Sequence, residues 1–157
     1  MSAELVNVVF AGIGGQGIIL ASDMLTEAAF KSGYDVKKSE LHGMSQRGGS
    51  VSSDVRFGIK VWSPMVPRGE ADYLVVLSED QVEVCGDMLK PGGVLLTPSL
   101  LGDYNPGRSL NIAMLGALNA HLRFPEELWV ELIRDKFKGE LADANIEAFR
   151  KGAAGVK

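Results

Sequence analysis

Two glycine-rich stretches contain the groups with which this sequence could do chemistry. The first, GIGGQG at residues 12–17, has the spacing G-x-G-x-x-G and lies between an apolar run and an amphipathic segment. In that context, glycines let backbone N–H groups approach a pyrophosphate at the N-terminus of a helix. The candidate ligand-binding residues of this loop are Gly12, Gly14, Gly15, Gln16 and Gly17.

The second stretch is a polar, basic loop, HGMSQRGGS at residues 42–50. Arg47 is followed by two glycines, so a guanidinium would lie beside exposed backbone N–H groups, an arrangement suited to carboxylates and phosphates. From the residues alone, two interpretations stay open: a loop that meets a ligand or partner, and a solvated turn. The candidate residues of this loop are His42, Gly43, Met44, Ser45, Gln46, Arg47, Gly48 and Gly49.

The composition excludes several classes of function. Sixteen basic against twenty acidic residues give a net charge of -4, without the basic stripe that a phosphate backbone requires, so we expect no nucleic-acid partner. One cysteine and two histidines cannot hold an iron–sulfur cluster or a structural zinc, so such centres must be carried by another chain. Cys85 lies in an amphipathic stretch and is expected to be a small packing residue rather than a nucleophile.

Nothing in the sequence indicates a membrane protein. No apolar run approaches the roughly 18 residues of a membrane span, and the first residues lack the basic region and cleavage site of a signal peptide. We therefore expect a cytoplasmic location and no membrane partner. The length of 157 residues suits a single domain, residues 1–157.

Hydrophobic patterning predicts an α/β fold: a three-layer, Rossmann-like, mostly parallel sheet with an inserted β-hairpin and C-terminal helices. The apolar run at 5–12 suits a central strand that is buried on both faces. The inserted hairpin is expected to pair 50–58 with 59–64. The other expected strands are 34–41, 71–78 and 91–98, and the expected helices are 17–33, 79–90, 109–122, 125–137 and a short one at 140–152.

The first loop alone admits a stand-alone, Rossmann-type protein that binds a nicotinamide or flavin dinucleotide. Glu40, near the predicted end of the second strand, would then bind the ribose, as an acidic residue there does in such proteins. The competing interpretation is that the glycines serve only tight packing of strand against helix. In either case Gly14 is expected to need a positive φ or a close backbone approach.

Three segments taken together are more specific than the glycine spacing. GIGGQGIILAS, ELHGMSQRGGSVSSDVRFG and SPMVPRGEADYLV occur in this order and resemble the gamma-type subunit of 2-oxoacid:ferredoxin oxidoreductases. Within that family, HGMSQRGGS is most similar to the small, beta subunit of indolepyruvate ferredoxin oxidoreductase. The similarity is dense from about Val8 to Leu96 and looser towards the C-terminus.

The resemblance implies a subunit of a complex that oxidatively decarboxylates 2-oxoacids with coenzyme A and passes electrons to ferredoxin. Thiamine diphosphate and iron–sulfur clusters would be carried by partner subunits, and this chain alone would bind no cofactor. Both glycine-rich loops would face the shared cleft, with Gln46 and Arg47 directed at a coenzyme A phosphate, the substrate or the catalytic subunit. One departure is visible: only Tyr104–Arg108 stand where typical members carry a longer segment.

Overall fold

The computed structural model describes residues 5–42 and 49–156, and its centre is one five-stranded sheet. The strand order is β2-β3-β1-β4-β5. The strands are β1 (Val6–Ile13), β2 (Asp35–His42), β3 (Ser50–Gly58), β4 (Ala71–Val76) and β5 (Leu89–Leu96). The helices are α1 (Ile18–Lys31), α2 (Val82–Cys85), α3 (Leu110–Leu122), α4 (Glu126–Lys136) and α5 (Gly139–Ala154), with 3₁₀ turns at Glu79–Gln81, Gly86–Met88, Pro98–Leu101 and Gly107–Ser109.

Strand β1 is central, as its continuous apolar run predicts. Val8 and Phe10 point into a large core under the helices, whereas Val9 and Ala11 point into a smaller core on the other side of the sheet. β1 pairs in parallel with β4 and in antiparallel with β3. Only β3 runs against the other four strands, so the α/β fold with a mostly parallel sheet is confirmed.

The prediction of an antiparallel hairpin is confirmed, but the strand expected to pair with residues 50–58 was wrong. β3 pairs with β2 on one side and with β1 on the other, and residues 59–64 form no strand. Pro64 and Pro67 lack the N–H group that a ladder needs. The hairpin is therefore formed by β2 and β3, and it is closed by the second glycine-rich loop.

One face of the sheet is covered by the four longer helices. α3 is buried over most of its length because it lies between the sheet and α5. Two glycines allow that approach: a Cβ at Gly152 would lie 1.8 Å from the Ala113 carbonyl oxygen, and one at Gly116 would lie 2.0 Å from that of Phe149. α5 has 16 residues, so the expectation of a short final helix was wrong.

The other face, called here the second face, has a thin cover. The single helix expected at 79–90 is broken into the four-residue α2 and two flanking 3₁₀ turns, and the backbone leaves the helical region at Cys85, between α2 and the second turn. Cys85 is half-buried there, and its thiol donates to the Gln81 carbonyl at 3.0 Å. Burial raises the pKa of this thiol, as expected for a packing residue rather than a nucleophile.

Within residues 5–42 and 49–156, no helix is long and apolar enough to cross a membrane.

Candidate functional site

The glycine loop lies at the carboxyl end of β1, where it turns the chain into α1. Gly15 and Gly17 have φ values of 92° and 80°, a region that other residues rarely adopt. A Cβ on Gly17 would also lie 2.3 Å from the Asn111 Nδ2 atom. Gly14 does not have a positive φ, and a Cβ placed on it would make only an ordinary contact, 3.9 Å from the Gly49 oxygen. The special glycine of this turn is therefore Gly17, and the expectation for Gly14 was wrong.

Gln16 uses its side-chain amide within the fold. Its Oε1 atom accepts a hydrogen bond from the Ile13 N–H at 2.9 Å, and its Nε2 atom donates to the Leu77 carbonyl at 3.3 Å. The loop is thereby tied to the residue that follows β4. Gln16 therefore holds the shape of the loop.

A pocket of about 600 Å³ opens against this loop. On one side lie Gly15–Gly17 at the start of α1, where no side chain caps the helix and no acidic residue occupies the first turn. On the other side lie Arg108, which is exposed, and Asn111, which is buried and donates to the Gly17 carbonyl at 3.2 Å. A helix N-terminus opposite a guanidinium suits an anion.

Sequence reasoning did not find Asn111. Its one signal was a polar residue inside the apolar stretch that becomes α3. The amide holds the first turn of α3 against the start of α1, so its importance depends on a contact between residues 94 positions apart. Patterning along one helix does not reveal such a contact.

The second loop begins and ends beside the first. The Gly14 N–H donates to the Gly49 carbonyl at 3.0 Å, and the β-ladder pairs Ile13 with Ser50 and His42 with Val51. The prediction that both loops share the carboxyl edge of the sheet is consistent with these pairs. Gly43, Met44, Ser45, Gln46, Arg47 and Gly48 lie outside the described residues.

The sheet order contradicts the proposed ribose-binding role of Glu40. In a dinucleotide domain, that acid ends the strand next to β1. Here β3 separates β2 from β1, which places Glu40 two strand spacings, about 10 Å, away. Glu40 instead pairs with Lys38, which also reaches Asp23 at 2.8 Å. Burial alone would lower the pKa of Lys38, but its hydrogen bonds to Asp23 and Glu40 outweigh burial and raise it.

An irregular segment, residues 59–67, is fastened to the second face by charged side chains of β2 and β3. Asp35 accepts from the Val61 N–H at 2.7 Å, and Asp54 accepts from the Val66 N–H at 2.9 Å. Arg56 donates to the Ser63 and Met65 carbonyls at 3.0 and 2.9 Å. Burial raises the pKa of Asp54, although its bond to Val66 and the nearby Arg56 oppose that rise. Side chains thus provide the bonds that a partner strand would have given.

This fastened segment displays large apolar side chains. Trp62 is 84% exposed and Met65 is 59% exposed. The ladder places Leu41 opposite Ser52, which lies opposite Ala11, so Leu41 is on the same face and is also exposed. Val84, on α2, is exposed as well. We call these exposed apolar side chains, Leu41, Trp62, Met65 and Val84, the docking face.

The described residues contain no group of three or more His, Cys, Asp or Glu side chains that could hold a metal ion. The chemistry available at the carboxyl edge is therefore that of backbone N–H groups, one exposed arginine and the polar loop between β2 and β3. Such a set suits an anionic group.

Comparison with known proteins identifies the family of this chain. The sequence matches the family described as "Pyruvate ferredoxin/flavodoxin oxidoreductase" over residues 7–106 and 100–155. It is 32% identical to indolepyruvate oxidoreductase subunit IorB of Methanothermobacter thermautotrophicus, in an alignment covering 93% of this chain and 95% of that protein. The chain therefore belongs to the pyruvate ferredoxin/flavodoxin oxidoreductase family.

Two solved structures share the fold. Pyruvate oxidoreductase subunit PORC of Thermotoga maritima superposes with a TM-score of 0.79 at 25% identity, over 98% of both chains. The 2-oxoglutarate:ferredoxin oxidoreductase of Magnetococcus marinus superposes with a TM-score of 0.83 at 24% identity, over 98% of this chain and 31% of that one. The same fold thus occurs as a separate subunit and as part of a longer chain.

The family match breaks at the shortened segment. Its two parts overlap at residues 100–106, a range that includes the start of the Tyr104–Arg108 segment. The alignment with the Methanothermobacter subunit spans 187 positions, more than the 157 residues of this chain, so the relative has residues that this chain lacks. Gly107 and Arg108, at the end of the Tyr104–Arg108 segment, line the pocket that faces the glycine loop.

Proposed function

We propose that residues 1–157 act as one gamma-type domain, the cofactor-free subunit of a 2-oxoacid:ferredoxin oxidoreductase that works in the cytoplasm. The family match over nearly the whole chain carries this proposal. The complex converts a 2-oxoacid and coenzyme A into an acyl-CoA and carbon dioxide, and two electrons pass to ferredoxin. Thiamine diphosphate and iron–sulfur clusters reside on partner subunits, and the chain is inactive alone.

The docking face meets the catalytic subunit. Trp62 and Met65 are exposed although the backbone beside them is held by Asp54 and Arg56, so displaying them costs little conformational entropy when a partner binds. Exposed aromatic and methionine side chains are enriched at the centres of protein interfaces. Lys60, whose Nζ lies 5.0 Å from the centre of the Trp62 ring, adds a positive charge at the rim.

The carboxyl edge forms one wall of the shared cleft. The start of α1, Arg108 and the loop that carries Gln46 and Arg47 together favour an anionic group there, and the phosphates of coenzyme A have that chemistry. The Magnetococcus marinus enzyme was solved with 2-oxoglutarate, coenzyme A and succinyl-CoA bound. In this chain we assign phosphate binding to the backbone of Gly15 and Gly17, which line the pocket at the start of α1, and to Arg47.

The substrate is an aromatic 2-oxoacid. The support is the resemblance of HGMSQRGGS to the indolepyruvate branch and the 32% identity to an indolepyruvate oxidoreductase subunit.

Arg47→Ala in the assembled complex tests the cleft assignment. We expect the KM for coenzyme A to rise about tenfold or more, because a charge-assisted contact to a phosphate is removed. The kcat at saturating coenzyme A should change much less. The measurement is indolepyruvate-dependent reduction of a viologen dye under anaerobic conditions, at several coenzyme A concentrations.

Arg134→Ala is the matched control, since Arg134 is exposed on α4 and pairs with Asp143 far along the chain from either loop. It should leave both constants unchanged. If Arg47→Ala had the KM and kcat of the wild type, the assignment of coenzyme A binding to this loop would be wrong. Failure of the wild-type complex to reduce the dye with any aryl 2-oxoacid would instead contradict the proposed substrate.

A further inference from the structure

A second pocket lies at the opposite edge of the sheet. It has a volume of about 820 Å³, within the range of small-molecule sites, and it opens where β1 begins and where α1 and α3 end. β1 spans eight residues between the two edges, so this pocket is roughly 23 Å from the glycine loop. It is therefore separate from the cleft proposed above.

Aromatic rings form much of its lining, and their positions are fixed by the core. The Tyr34 ring packs edge-on against Phe57 at 5.4 Å and against Phe124 at 6.2 Å between ring centres. The Tyr73 ring lies 5.6 Å from the His121 ring. A planar apolar group entering the pocket would meet prearranged rings rather than mobile side chains.

Four polar side chains of the pocket take no part in the bonding of the fold. The hydroxyls of Tyr34 and Tyr73, the ring nitrogens of His121 and the guanidinium of Arg123 make no hydrogen bond or ion pair with any residue in the described ranges 5–42 and 49–156. No acidic side chain from those ranges lines the pocket. Arg123 is its one permanent charge, so the pocket selects an anion.

The backbone at Arg123 is unusual. Arg123 is the one non-glycine residue with a positive φ in the described part of the chain, at 64°. Glycine is the usual residue at such a helix end. The turn is held by Asn119, whose carbonyl accepts from the Arg123 N–H at 2.7 Å and whose side chain bonds both backbone groups of Phe124. The guanidinium is thus carried on a fixed, strained turn at the mouth of the pocket.

We propose that this pocket binds an aromatic carboxylic acid, whose carboxylate pairs with Arg123 and whose ring lies against Tyr34, Tyr73 and His121. The class follows from the lining: a planar fork of donors matches a carboxylate, and the ring walls match an aromatic body. Inorganic phosphate offers the charge without the ring, and an aromatic amide offers the ring without the charge.

The test is a titration of the full ¹⁵N-labelled chain with indole-3-acetate, followed by backbone amide chemical shifts. We expect saturable shifts at Ser32, His121 and Phe124, with indole-3-acetamide and inorganic phosphate each binding at least tenfold more weakly. Shifts confined to the glycine loop, or equal affinity for the amide, would overturn the proposal.

Arg123→Gly separates binding from folding, because glycine suits the positive φ and the Arg123 side chain that it removes is exposed. We expect the affinity for indole-3-acetate to fall at least tenfold while the melting temperature stays the same or rises. The surface control Arg134→Gln should bind as the wild type does. Unchanged affinity in Arg123→Gly would show that the carboxylate site is elsewhere and would overturn the assignment.

Discussion

The two faces of the sheet treat large apolar side chains in opposite ways. Under the helices, Trp129, Phe57 and Phe10 are fully buried, and the α3 and α5 backbones touch at two glycines. On the second face, Trp62 and Met65 remain exposed although polar bonds hold the backbone beside them. The first face contains the main core of the domain, and we propose that the second meets the partner subunit. Stability and assembly should therefore respond to different substitutions.

The largest effect on stability is expected for Gly152→Ala. Alanine in a helix normally stabilises by about 1 kcal/mol relative to glycine. Here its Cβ would meet the Ala113 carbonyl at 1.8 Å, so α3 and α5 must separate, and we expect a loss of about 3 kcal/mol. Gly86→Ala on the second face is the control, since its Cβ would meet nothing within 4 Å. Urea unfolding that ranks the two variants equally would refute the close packing of α3 and α5.

The largest effect on assembly is expected for Trp62→Ala. Affinity for the catalytic subunit should fall by about 2 kcal/mol, roughly thirtyfold, as for a central aromatic contact. The stability of the isolated chain should change by less than about 0.5 kcal/mol. Phe30→Ala is the control, because Phe30 is also an exposed aromatic residue but lies on α1, on the helix-covered side. Equal losses of affinity in both variants would contradict the assignment of the docking face.

A smaller, pH-dependent effect is expected for Asp35→Asn. The Val61 N–H bond lowers the pKa of Asp35 below its ordinary value of 3.8, with Lys37 and Lys60 assisting and burial opposing. The folded pKa is depressed, so its contribution to stability is complete above 3.8 and is lost as the pH falls through the folded value. The stability gap between wild type and variant should shrink on acidification below that point. A gap that widens there would reverse the sign of this argument.

Asp54 provides the contrast on the same face. Burial raises its pKa, so protonation favours the folded chain, and the stability that it adds at low pH is lost as the pH rises through the folded pKa. The pKa values of the two carboxylates that hold residues 59–67 are therefore shifted in opposite directions from 3.8: that of Asp35 is lowered and that of Asp54 is raised. Stability curves of Asp35→Asn and Asp54→Asn against pH should slope in opposite directions when each is compared with the wild type.

The smallest effect is expected for Cys85→Ala. The thiol is half-buried, and its only described bond is a sulfur contact to the Gln81 carbonyl. Stability should fall by less than about 1.5 kcal/mol, and turnover of the assembled complex should stay unchanged. Lost turnover in a variant that still assembles would give this cysteine a role in the reaction.

The central features of the fold were predictable because local patterning dictates them. The apolar run of β1, the glycine turn and the amphipathic α1 each carry their own signal. The pairing of β3 was not predictable in the same way. Residues 59–64 have the pattern of a strand, but backbone groups of the segment 59–67 are bonded by the side chains of Asp35, Asp54 and Arg56 instead of by a neighbouring strand. A local pattern does not show which partner satisfies a backbone group.

In the candidate site, too, local features were predictable and long-range contacts were not. The glycine loop was found from spacing, and the Gly14–Gly49 bond agrees with two loops that meet at one edge. The structural use of Gln16 and the contact of Asn111 with Gly17 depend on the packing of three elements, so the sequence did not reveal them. Phosphate binding by Arg47 stays a prediction, because residues 43–48 lie outside the described part of the chain.

The most direct test of the account is anaerobic purification of this chain from its source cells, with its partners, visible spectrum and dye reduction recorded. The account predicts a brown complex with a larger catalytic subunit that reduces the dye with an aryl 2-oxoacid only when coenzyme A is present. A colourless chain that purifies alone and binds NAD or FAD would contradict it.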